Sequence, residues 1–168
     1  MIIKVQALEH KAFAPFGQVL AWSPGDPIRR DFAAKLFSDR PAARPNLRVQ
    51  RAEPVSLPHT ATLIERHRHS SQMFAPLSGG SFLIMVFLSD EYGQPILQSG
   101  LAFVGSGSQA INYNVDTWHH PFLALEAPGT FLTQRWEDGT SGDEEFLPLT
   151  TPIRIEEPFG QNRFQKIL

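Results

Sequence analysis

The sequence predicts a mostly β fold, a barrel or a sandwich, and three observations carry that prediction. The 14 prolines and 12 glycines are spread along all 168 residues and cut the chain into short segments, as many-stranded antiparallel folds require and helical bundles do not. Nine segments are rich in β-branched or aromatic residues and bounded by turn formers. Helical spacing of apolar residues is confined to two short stretches.

In chain order, Ile2–Val5 is the first strand and Glu9–Phe13 a single helical turn behind it. Gly17–Trp22 is the second strand. Asp31–Ser38 (DFAAKLFS) has an acid near its start and apolar residues at helical spacing, so a short helix is expected there. The RPAARP stretch at 40–45 is a loop, and Leu47–Arg51 is the strand that follows. Thr60–His69 is a strand with strict alternation, and Ser81–Leu88 holds the longest apolar run, far short of the roughly 20 residues a membrane helix needs. Leu101–Val104, Gln109–Val115, His120–Leu125 and Thr130–Trp136 complete the set, and Gly139–Glu145 (GTSGDEE) has loop composition. No internal repeat is present.

Composition narrows the class. With 42% hydrophobic residues and 13 phenylalanines, the chain can build one substantial core, so residues 1–168 are expected to form a single domain. A net charge of −2 from 15 basic and 17 acidic residues, interspersed, offers no face for nucleic acid and no polybasic anchor for a membrane. There is no cysteine, which excludes disulfides and thiolate chemistry. The opening MIIKVQALEHKAF carries charge where a signal peptide would need an apolar run, so a soluble cytoplasmic protein is expected.

Two clusters carry chemistry. In ERHRHSSQ (65–72), alternation places Leu63, Glu65, His67 and His69 on one face of the strand, and Thr62, Ile64, Arg66 and Arg68 on the other, which reads as the solvated side. Imidazoles two residues apart on a strand can share one ion, so His67 and His69 are candidate metal ligands as well as acid–base groups. NYNVDTWHHP (112–121) brings a tryptophan, two adjacent histidines and a proline to the entrance of a strand, the composition of a small-molecule pocket. Adjacent residues point to opposite faces, so only one of His119 and His120 can share a cavity with His67 unless the backbone bulges there.

The two clusters fall in the order of the two cupin motifs. His67 and His69 lie on the motif histidines, Met73 stands where the motif glutamate would be, and Asn114–His119 covers the second motif without its proline and glycine. Met73 offers no hard oxygen donor to a metal. The sequence more closely resembles the ureidoglycolate lyase family, a degenerate cupin barrel, over nearly its full length. AFAPFGQVL, QRAEPVSLP at 50–58, ERH with SQ, F and PL from Glu65 to Leu77, INYNVDTWHHP at 111–121 and FLT at 131–133 carry the resemblance. The chain departs from the family at Gln50, in GDPIRRDFA and in QRWEDGTSGDEE.

The resemblance implies an all-β, cupin-like antiparallel barrel or jelly roll, a homodimer, and release of urea from ureidoglycolate with glyoxylate left behind, a late step of purine and allantoin breakdown. That elimination needs a base for the hydroxyl proton, an acid for the departing nitrogen and donors for the carboxylate. His67 is the first candidate, with Glu65 as the carboxylate that fixes its tautomer; His119 and His120 compete for the complementary role, His119 being favoured by the cupin frame. Gln72 and Arg51 are candidate substrate donors, with Asn112, Tyr113 and Trp118 at the pocket. No cofactor is required on this reading. A divalent metal on His67, His69 and His119, serving an isomerase or dioxygenase, is the alternative, and a small-ligand-binding cupin is a third.

Overall fold

The computed structural model describes residues 1–158; residues 159–168, the end of the expected domain, lie outside the described residues. The strands are β1 (Ile2–Ala7), β2 (Gly17–Leu20), β3 (Arg44–Ala52), β4 (Pro54–Val55), β5 (His59–His67), β6 (Gln72–Ser78) and β7 (Phe82–Phe87). They continue with β8 (Leu101–Gly105), β9 (Ala110–Tyr113), β10 (Trp118–His119), β11 (Leu123–Leu125), β12 (Gly129–Glu137) and β13 (Glu144–Glu156), and the single helical turn α1 is His10–Phe13. The expected mostly β, cupin-like architecture is present as two sheets. The larger runs β10-β5-β13-β1-β8-β7-β11-β4, and β10 also pairs with β7, which closes six of its strands into a ring. The smaller, β2-β9-β6-β12-β3, packs against the ring.

This arrangement makes two cores. Ile3, Val5, Ile64, Leu83, Met85, Phe87, Trp118, Ile153 and Ile155 fill the ring. Phe13, Phe74, Phe82, Ile84, Val86, Phe103, Ile111, Tyr113, Phe122 and Phe131 lie between ring and sheet. The apolar run at β7 follows directly: its alternate residues enter different cores, so no position on it can be polar.

Several elements differ from the sequence expectation. β1 pairs parallel with both β13 and β8, and β4 parallel with β11, so the sheet is mixed rather than purely antiparallel. The helix expected over Asp31–Ser38 is one 3-10 turn, Ala33–Lys35. Its backbone is spent on the sheet instead: Lys35 O accepts from Asn112, and Phe37 exchanges bonds with Ser71. β5 ends at His67, two residues early, because the next residues turn to bond Asp143. β6 and β13 were not expected as strands. β13 contains Pro148 and Pro152, which read as breakers, and the register with β5 shifts between Pro148 and Ile153 to accommodate them.

Candidate active site

A cavity of about 150 Å³ lies between the ring and the five-stranded sheet. Three strands of the sheet supply its floor. Inward-facing Thr133 on β12 has Phe74 of β6 on one side and Arg48 of β3 on the other. Gln50, Gln72 and Arg135 extend this floor, β5 adds Glu65 and His67 from the opposite side, and Glu144 and the Pro121–Phe122 step close it. Phe122 stacks on Phe74 with ring centres 4.6 Å apart, so one wall is apolar and rigid.

Two carboxylate–imidazole pairs meet here. Glu65 and His119 are directly opposite across β5 and β10, with Oε1 3.3 Å from Nε2. His119 is 1% exposed and its Nδ1 donates to Thr117 O at 2.8 Å, so the ring is held from both ends. In the other pair His67 Nδ1 faces Asp143 Oδ2 at 3.3 Å, which leaves Nε2 as the nitrogen for the cavity. The two imidazoles lie nearly parallel, 6.0 Å between centres. Tyr113 stacks on the far side of His119 at 4.2 Å.

Electrostatics keeps both carboxylates ionised. Burial alone would raise Asp143, but His67, the Ser70 hydroxyl at 2.5 Å and the His69 amide at 2.8 Å hold it well below the usual carboxylate range. Burial likewise opposes ionisation of Glu65, and His119, His67 and His120 outweigh it and lower its pKa. Burial, then the charge of Glu65, push the Tyr113 hydroxyl well above its ordinary value, so it stays protonated.

The site is under-satisfied within the protein. His67 Nδ1, His119 Nε2 and Arg135 Nε are taken up by Asp143, Glu65 and Glu137, but Gln72 Oε1, Tyr113 OH and Thr133 Oγ1 are buried without a hydrogen-bond partner. Buried polar atoms are ordinarily paired, so a concentration of unpaired ones around one cavity marks a place built for a polar ligand.

Of the residues singled out from the sequence, Glu65, His67 and Gln72 line the cavity, with His119 and Tyr113 directly behind Glu65. The rest are elsewhere. Arg51 points outward from β3, two-thirds exposed and paired with Glu53 at 2.9 Å; alternation hands the cavity Arg48 and Gln50 instead. Asn112 lies on the outer face of its sheet, held by Gln18 and Lys35 O, because its neighbour Tyr113 takes the inward direction. Trp118 fills the ring, its Nε1 bonded to Gly93 O. His120 packs edge-on against His59 and bonds Pro121 O, outside the cavity lining; burial lowers its pKa. Glu65 serves His119, and the orienting carboxylate of His67 is Asp143, from the loop-like GTSGDEE stretch.

His69 does not join the group. Beyond the end of β5 it turns out to Asp39, Nδ1 to Oδ1 3.0 Å, so His67, His69 and His119 do not converge. Among the described residues no three His, Asp or Glu side chains are placed to hold a metal ion. Arg66 and Arg68 also differ from each other: Arg68 is exposed as expected, whereas Arg66 is buried in the ring, because ring closure covers both faces of β5.

The family model for ureidoglycolate lyase matches residues 1–156. A ureidoglycolate lyase of Rhizobium etli is 34% identical over 164 residues, covering 93% of this chain and 96% of the relative. One from Pseudomonas fluorescens is 36% identical over 153 residues, covering 85% and 90%. Among solved structures, a dTDP sugar isomerase from Desulfovibrio desulfuricans superposes with a TM-score of 0.47 at 14% identity, over 81% of this chain and 84% of that one. No helix among the described residues is long and apolar enough to cross a membrane. With the family model spanning both sheets and the relatives aligned nearly end to end, the chain belongs to the ureidoglycolate lyase family.

Proposed function

We infer that this protein is a carbon–nitrogen lyase that cleaves ureidoglycolate to glyoxylate and urea in purine and allantoin breakdown. The observation that carries this reading is the pair of carboxylate–imidazole couples at a small polar cavity floored by Arg48 and Arg135. Ureidoglycolate carries a hydroxyl, a carboxylate and a ureido nitrogen on one carbon. With Asp143 accepting at Nδ1, neutral His67 presents a basic Nε2 to the hydroxyl. As the O–H proton moves to His67, the O–H electrons become the second C=O bond of glyoxylate. The C–N pair then departs with the ureido nitrogen, which takes that proton from His67 and leaves as urea. No proton is gained or lost overall, so one imidazole serves as base and then acid. The Glu65 carboxylate, which lines the same cavity, supplies negative charge beside the transient imidazolium.

Arg48 and Arg135, in place of Arg51, bind the substrate carboxylate. Both are tethered by Glu137, at 2.9 and 2.7 Å, and Arg135 also donates from Nη1 to Glu144 at the cavity wall, which fixes the guanidinium groups. Gln72, Gln50 and Thr133 remain for the ureido group. Every step uses side chains of this chain, so no metal or other cofactor is required. The enzyme acts as a cytoplasmic homodimer, a single domain per chain. Leu47, Val49 and Leu77, all exposed on the outer face of the five-stranded sheet, support self-association, which light scattering at micromolar concentration tests.

The decisive experiment incubates chelator-treated protein with ureidoglycolate and follows both products. Urea and glyoxylate in equal amounts are expected. Absence of glyoxylate, or turnover restored only by a divalent metal, would overturn this reading.

A further inference from the structure

Asp143 orients His67 from the turn that links β12 to β13. Residues 138–143 link β12 to β13 through an exposed reversal with Gly139 at φ +81°, and the turn's own bonds, Asp138 to the amide and hydroxyl of Thr140, lie in its exposed half. At its buried end Arg68 N donates to Asp143 O, His69 N to Asp143 Oδ1 and the Ser70 hydroxyl to Asp143 Oδ2, so the residues after β5 hold the carboxylate, and whatever aligns that segment aligns Asp143.

The strap between β2 and β3 reaches it. After crossing the outer face of the sheet at Asn112, the strap lies antiparallel along the residues that follow β5. Ser71 N donates to Phe37 O, Phe37 N to Ser71 Oγ, and Asp39 N to His69 O, while the His69 ring meets the Asp39 carboxylate. The next residue is Arg40. Its guanidinium is largely buried and reaches both ends of the 138–143 turn and the strand before it. One amino group lies 2.8 Å from Asp138 Oδ2; the other donates to Trp136 O at 2.9 Å and faces Asp143 Oδ2 at 3.8 Å.

We propose that Arg40 is a positioning residue for the reaction: it staples the Asp138–Asp143 turn so that Asp143 meets His67, and the His69–Asp39 contact aligns the strap that delivers it. This rests on the lyase reading above, and it gives the second histidine of ERHRH a purpose other than metal binding. Arg40 lines no part of the cavity, so it acts on the rate through His67 and leaves substrate binding alone. A displacement of the orienting carboxylate by an ångström is worth roughly 10- to 100-fold in turnover.

The test compares Arg40→Met, Arg40→Lys and Asp39→Asn by steady-state kinetics with ureidoglycolate, beside thermal melting. Arg40→Met is expected to lower kcat roughly 10- to 100-fold with KM within about twofold, and Arg40→Lys to recover most of that loss by keeping the charge. Asp39→Asn should lower kcat by a few-fold in the same pattern. A folded Arg40→Met with wild-type kcat, or a loss confined to KM, overturns the proposal. If Arg40→Met does not fold, Asp39→Asn with unchanged kcat does so. A wild-type protein that releases no glyoxylate defeats the lyase reading instead. In that event the imidazole N–H signal of His67 in proton NMR, assigned with His67→Gln, still reports on the staple: it should shift in Arg40→Met and persist in Arg40→Lys, and an unmoved signal overturns the proposal.

Discussion

Arg66 and its sequence neighbours Glu65 and His67 lie on opposite faces of β5, all largely withdrawn from water, and their surroundings differ in kind. Arg66 enters the ring and finds a partner for every nitrogen. Glu145 accepts from Nε and Nη2 at 2.9 and 2.7 Å, Gly93 O accepts from Nη1 at 2.6 Å with Asp116 at 2.9 Å, and Trp118 lies under the guanidinium at 4.5 Å. On the other face His67 and His119 each face a carboxylate at 3.3 Å, but Gln72 Oε1, Tyr113 OH and Thr133 Oγ1 around them are buried without a partner. A buried charge with a complete set of partners belongs to the architecture; buried polar atoms left incomplete around a cavity belong to a ligand. Burial alone does not separate the two cases, and partner completeness does.

The comparison breaks if substitutions on the two faces behave alike. The largest expected effect is on the cavity face. His67→Ala should lower kcat about 10²- to 10⁴-fold while melting close to wild type, and Asp143→Asn should follow it in kcat but melt lower, because it also gives up the stabilising bonds of the ionised carboxylate, which steady-state kinetics and calorimetry together check. His69→Ala should cost far less, since His69 faces Asp39 and not the cavity.

On the ring face the sign reverses. Arg66→Met should cost about 2–4 kcal/mol of stability, less than a fully buried pair because Asp116 and Glu145 keep access to water, while kcat at a permissive temperature stays near wild type. Denaturant titration measures the loss. A stable but inactive Arg66→Met would erase the distinction between the faces.

A smaller effect sharpens the assignment of carboxylate binding. Arg48→Met should raise KM roughly tenfold, a loss near 1.4 kcal/mol, whereas Arg51→Met should leave both constants within about twofold. The smallest effect is in acid. Asp143 and Glu65 both ionise below the usual carboxylate range when folded, so their stabilisation is complete above the unfolded pKa of about 4 and declines as pH falls through the lower folded values. Melting temperature should therefore drop progressively below about pH 4, and Asp143→Asn should flatten that slope.

The legible part of the site was the part encoded in one strand. Alternation at Glu65 and His67 survives because β5 is regular to its end, and the same rule failed at His69, where the backbone leaves the strand to bond Asp143. Parity also separated Arg48 from Arg51, but which of them faced inward depended on where β12 lay. Asp143 carried no local signal: a turn of glycine, serine and acids reads as solvent-exposed loop, and only its approach to the residues after β5 buries it. Glu144, Thr133 and Arg135 sit in stretches that read as ordinary strand or loop.

By itself the sequence determined the β class, through short segments of alternating and β-branched residues, and the acid–base face of β5, through period two. It also carried the family motifs, because ERH with SQ falls within residues 65–72 and NY with WHHP within residues 112–121. Tertiary structure alone decided which carboxylate serves which histidine, which arginines enter the cavity, and that Arg66 is enclosed. Those outcomes depend on contacts between residues tens of positions apart, created when β10 closes the ring and β13 returns beside β5; period two decides which faces a strand has, and only its neighbours decide what each face meets.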